Sequence, residues 1–109
     1  MPDYPIEKRE VVARAEGLLV RIYTLARGQE VPWHHHSAIT DTFVCLEGAL
    51  RVQTRDPDEL HLLQPGQTVA VPPGRPHVVS GPDHAPVRFL LVQGVGDYDF
   101  VPDPPAASS

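Results

Sequence analysis

A single cysteine, Cys45, stands among 109 residues, so no internal disulfide framework can staple this chain. That scarcity agrees with a reducing compartment, and the cytoplasm is the expected location. No apolar run approaches the ~20 residues that a membrane-spanning helix needs. The opening residues, MPDYPIEKRE, carry charge and proline where a secretory leader would carry an apolar stretch. Lysine is nearly absent: the nine basic residues are otherwise arginines, scattered without a stripe and outnumbered by fourteen acidic ones to a net charge of −5. A nucleic-acid partner is not expected from such a balance. Also missing is any segment longer than a turn with the 3.6-residue helical period.

Thirteen prolines and eight glycines in a chain of this length oppose long helices. Between them lie short alternating runs: GLLVRIYTLA (17–26), DTFVCLEG (41–48), ALRVQTRD (49–56), QTVAVP (67–72), HVVS (77–80) and VRFLLVQG (87–94). Glu47-Gly48 reads as a hairpin turn between the second and third of these. Short strands closed by frequent turns predict one all-β domain, a sandwich or barrel. Residues 1–16 are expected to form an N-terminal arm or first strand, 17–96 the barrel and 97–109 a tail, with Ala106–Ser109 disordered. Tyr98 and Phe100 are expected to pack on the barrel or on a neighbouring subunit, since exposed aromatic rings are costly.

The chemistry-bearing stretch is PWHHHSAITDTFVCLEG, from Pro32 to Gly48. Side chains two apart in a strand share a face, so His34 and His36 point one way and His35 the other. Two imidazoles, the Asp41 carboxylate and a further histidine from a neighbouring strand make a set suited to a divalent first-row metal such as Mn, Fe, Ni, Cu or Zn. His77, after the PPGRP turn, is the candidate for the fourth position. His35, His61 and His84 read as surface or loop residues. Cys45 is in phase with Asp41 and Phe43 and reads as a buried apolar residue. Trp33 suits either packing at the rim or a substrate mouth. Arg21, Arg51 and Arg88 lie in strands with Tyr23, and an arginine facing inward would anchor an anion; phase alone does not say which.

Both motifs resemble those of the cupin family. Gly28 is followed by five residues, then His34-His35-His36, four residues, Asp41, six residues and Gly48; Gly66 is followed by five residues, Pro72-Pro73-Gly74, two residues, His77, three residues and Gly81. Asp41 stands where the family usually has glutamate, and Gly81 replaces a closing asparagine. The aspartate reaches about 1.3 Å less far, so it ligates directly, acts through a water, or leaves a three-histidine site. The resemblance implies a double-stranded β-helix (jelly-roll) barrel with the metal at its mouth and a small organic molecule beside it. Cupins host many reactions, so the fold does not name one. Three functions follow: a metal-dependent oxygenase, isomerase or cyclase; a binding or sensing module without turnover; and a metal-free epimerase-like activity, which intact metal motifs disfavour. A homodimer is expected, the N-terminal arm adding a strand to a partner's open sheet edge.

Overall fold

A computed structural model describes residues 4–105; Ala106–Ser109, where disorder is expected, lie outside the described residues. Ten strands account for the fold: β1 Lys8–Ala15, β2 Leu18–Leu25, β3 Val31–His35, β4 Thr40–Glu47, β5 Leu50–Thr54, β6 Glu59–Leu63, β7 Thr68–Val71, β8 His77–Ser80, β9 Val87–Gly94 and β10 Val101–Pro102. They form two five-stranded antiparallel sheets, ordered β1-β2-β9-β4-β7 and β10-β3-β8-β5-β6. This is the jelly-roll arrangement expected of the sequence. No helix among the described residues is long and apolar enough to cross a membrane.

Alternation decides what faces inward. Along β2, β4 and β9 every second residue is buried: Arg21, Tyr23 and Leu25; Asp41, Phe43 and Cys45; Val87, Phe89, Leu91 and Gln93. Between the sheets, Tyr23, Phe43 and Phe89 pack with Leu50, Val52 and Val79 into one core. Aliphatic and aromatic residues fill one end of the barrel, and the polar members of the same strands, Arg21, Asp41 and Gln93, gather toward the other.

One turn departs from the sequence reading. Glu47-Gly48 does not close a hairpin: β4 pairs with β7 and β9, whereas β5 pairs with β6 and β8. The turn instead carries the chain from one sheet to the other. Gly48 has φ +80°, and a Cβ there would lie 2.8 Å from the Pro86 carbonyl oxygen, so both conformation and space demand glycine. Gly81 needs glycine for a different reason than turn conformation. Its backbone is extended, with φ −80° and ψ 150°, but a Cβ would collide with the Ala85 carbonyl oxygen.

The N-terminal segment is no free arm over 8–15. β1 pairs with β2 of its own chain, from Lys8↔Thr24 to Ala15↔Leu18, with a bulge between Val11 and Ala13. Its outer edge has no partner strand among the described residues.

Candidate metal centre

His34, at the end of β3, pairs in register with His77, the first residue of β8. His36 follows β3 directly, and its carbonyl accepts the Gly74 N–H at 2.7 Å, which ties the two histidine-bearing loops together. Asp41 comes from the opposite sheet, where its β4 position pairs with Gln93 of β9. The four side chains meet across the barrel, each at most 2% exposed, with one donor atom apiece lying within 4.8 Å of the others. The structure thus brings together all four residues singled out in the sequence, in a cluster that could hold a metal ion. His35 turns away to Asp103 (2.9 Å), and His61 and His84 stand outside beside Glu59 and Glu30.

Backbone carbonyls hold all three rings. Nδ1 of His34 faces the Pro32 carbonyl at 2.7 Å, Nδ1 of His36 the Asp99 carbonyl at 2.5 Å, and Nδ1 of His77 the Arg75 carbonyl at 2.9 Å. A carbonyl only accepts, so each Nδ1 carries a proton and donates it. This turns each Nε2 inward, and a ring that is neutral presents a lone pair there. Asp41 Oδ2 lies 2.8 Å from Nε2 of His36, 2.8 Å from that of His77 and 3.8 Å from that of His34. Lone pairs facing a carboxylate oxygen are mutually repulsive unless a cation or extra protons sit among them. With metal–nitrogen distances of about 2.0–2.1 Å, donors on one ion stand roughly 3–4 Å apart, and a cluster whose donor atoms lie within 4.8 Å of one another could hold a metal ion. The shorter carboxylate of aspartate does reach the imidazoles.

Burial alone would raise the Asp41 pKa, yet the three imidazoles around it hold it well below the usual carboxylate range. Burial pulls His36 down, but the hydrogen bond and charge of Asp41 outweigh it and leave its pKa raised. For His34 burial wins, and its pKa is lowered.

Gln93 was not foreseen. Its Nε2 donates to Asp41 Oδ1 at 2.9 Å, and its Oε1 accepts from Arg21 Nη2 at 2.5 Å. Arginine can only donate, so it fixes which way the amide points. The amide in turn occupies Oδ1 and leaves Oδ2 for the cluster, an orienting contact of the kind metal sites use. Nothing in local spacing marks Gln93; only its alternation with Phe89 and Leu91 along β9 places it inside.

The segment after β9 roofs the site. The Phe100 ring stacks on His34 at 4.4 Å and 14°, and Tyr98 lies 5.4 Å from His36. Asp99 also accepts the Ser37 N–H at 2.8 Å. Both aromatics pack on this chain's own barrel, the first of the two arrangements expected. Trp33 packs at the rim beneath the Arg55 guanidinium, 3.9 Å from its centroid.

A two-sheet jelly roll with three imidazoles and a carboxylate converging at its mouth defines a double-stranded β-helix protein with a candidate metal centre. The family model described as cupin domain matches residues 21–93, more than half the chain, and the chain belongs to the cupin family. No curated protein matched it. Among solved structures, it is similar to a protein of Thermus thermophilus at 30% identity and TM-score 0.72, covering 81% of this chain and 82% of that one. A conserved double-stranded β-helix protein of Klebsiella pneumoniae shares the fold at 23% identity and TM-score 0.74, covering 93% and 87%. KdgF of Halomonas sp. does so at 20% identity and TM-score 0.69, covering 88% and 90%.

Proposed function

We propose that this cupin binds one divalent first-row transition metal through His34, His36, Asp41 and His77, and acts as a metal-dependent enzyme on a small organic molecule held in the barrel mouth. The observation that carries this reading is the orientation of the rings: three Nδ1 atoms face backbone carbonyls, which turns three Nε2 atoms toward one carboxylate oxygen. Backbone carbonyls hold the rings before any metal arrives, and Gln93 does the same for Asp41. When bound, the metal supplies Lewis-acid or redox chemistry to an oxygen-bearing substrate. Phe100 and Tyr98 exclude water above it.

The reading extends to a homodimer in the cytoplasm. Val11 and Val12 are 56% and 54% exposed on β1, an edge strand that a second copy would cover. A monomeric mass by light scattering at micromolar concentration would contradict this part. The cytoplasmic location rests on the buried, unpaired Cys45.

The functional test screens reconstituted protein, with each of Mn, Fe, Ni and Zn, for oxygen uptake and product formation on small organic acids, diketones and aromatics. Turnover that His36→Ala abolishes is the expected result. Full turnover in His36→Ala would sink the proposal. Metal-dependent binding without any turnover would make the protein a binding module instead.

A further inference from the structure

We infer that a second copy of this chain docks on the outer face of the sheet β1-β2-β9-β4-β7, face to face about a two-fold axis that runs along the strands between β2 and β9. The dimer itself rests on the reading above; the surface is a different one from the β1 edge. An antiparallel sheet with one face in water alternates apolar inside and polar outside. The other sheet does so at β5, where Arg51 and Gln53 point outward between buried Leu50, Val52 and Thr54. The first sheet does not. Its inner face carries Tyr23, Phe43, Phe89 and Leu91, and the residues alternating with them are apolar too: Val20, Ile22, Val44, Leu90 and Val92, all half-buried. Strands that are apolar on both sides suit a sheet covered on both.

Register lines these residues up in rows. Val20, Val92 and Thr42 stand side by side across β2, β9 and β4, and Ile22, Leu90 and Val44 form the next row. A third row, at the end of the sheet away from Asp41 and Gln93, is charged: Lys8, Thr24, Arg88 and Glu47. The second sheet covers the inner side. All ten described strands belong to one sheet or the other, so among the described residues no strand is left to cover the outer side. Exposed apolar patches of this kind mark interaction sites. Five strands about 4.8 Å apart, the longest of eight residues, make a face on the order of 600 Å². That is near the ~800 Å² per partner of a standard interface.

The charged row says what docks there. Lys8 and Arg88 balance Glu10 and Glu47, which lie 3.4–4.0 Å from them in the same chain, so the face has no net charge to draw a strongly charged partner. It does complement itself. An axis along the strands between β2 and β9 lays β2 over the partner's β9 and β1 over the partner's β4. Ile22 then meets the partner's Leu90, and Val20 meets the partner's Val92. Lys8 comes opposite the partner's Glu47, twice per dimer, and their side chains are 63% and 72% exposed. One surface supplies both halves of every contact, as an isologous interface requires, with an apolar centre and a charged rim.

The test measures dimer dissociation by analytical ultracentrifugation, with circular dichroism to check folding. Leu90→Glu sets a carboxylate in the centre of the interface and should weaken the dimer at least about hundredfold. Val12→Glu, on the β1 edge, should change it by less than about threefold. Lys8→Glu and Glu47→Lys should each weaken it about tenfold, and the two changes together in one chain should restore it. If Leu90→Glu does not fold, the charge variants carry the test, since both positions lie on the exposed rim. A folded Leu90→Glu protein that stays dimeric, or a dimer that only Val12→Glu breaks, overturns the face and leaves the dimer reading with the β1 edge. A double charge variant as weak as the single ones overturns the axis that pairs Lys8 with Glu47. A monomeric wild type overturns both the face and the dimer reading.

Discussion

At the scale of single residues, Gln93 is the sharpest test of how the cluster is held. Replacing it with leucine strands both Asp41 Oδ1 and Arg21 without a partner, and loss of such an orienting contact typically costs about 10–100-fold in metal affinity. Competition with a chromogenic chelator measures this; affinity unchanged in Gln93→Leu would mean that Asp41 orients itself. Cys45 is fully buried in the core, and burial pushes its thiol pKa up. It should therefore react with a thiol reagent only at the rate of unfolding, and fast labelling of native protein would contradict that. The histidines were legible in the sequence because two separated motifs kept every internal spacing. Gln93 and the Asp99 carbonyl were not, because one is a neutral amide and the other is backbone, and neither has a spacing signature. The side chain of Arg21 was placed in a strand but not on a face, since alternation gives relative phase and only packing gives its origin.

At the scale of elements, strands and turns were readable from alternation and punctuation, while pairing was not. Glu47-Gly48 looks locally like a hairpin, yet the chain there changes sheets, a choice made by distant partners such as Phe89 and Val79. Gly48→Ala would force a side chain into φ +80° and against the Pro86 carbonyl. It should cost about 2–3 kcal/mol, read as a lowered urea midpoint; a loss within error would refute the close approach. The roof is the other element with a defined task. Phe100 stacks on both His34 and Tyr4, so Phe100→Ala should cost about 2 kcal/mol and speed metal release to a chelator. Release at the wild-type rate would show that the roof does not retain the metal.

At the scale of the whole molecule, stability, pH and metal are linked through the cluster. The raised pKa of His36 stabilises metal-free protein fully below its ordinary value of ~6.5, and that contribution disappears as pH rises through the folded value. The depressed pKa of Asp41 contributes above ~3.9 and is lost as pH falls through its folded value. Metal requires the unprotonated cluster, so its affinity rises with pH over the same range in which the His36 contribution fades. The stabilisation conferred by metal should therefore be larger at pH 8 than at pH 5.5, as melting temperatures with and without metal would record. A difference independent of pH would mean that the cluster is not where the ion binds.

The most direct measurement is the metal content of untagged protein by mass spectrometry, after purification and after reconstitution with Mn, Fe, Ni or Zn, beside His36→Ala. One equivalent of a transition metal per chain, lost in the variant, is the predicted result. No metal in either protein, or equal metal in both, would contradict the assignment of His34, His36, Asp41 and His77 as its ligands.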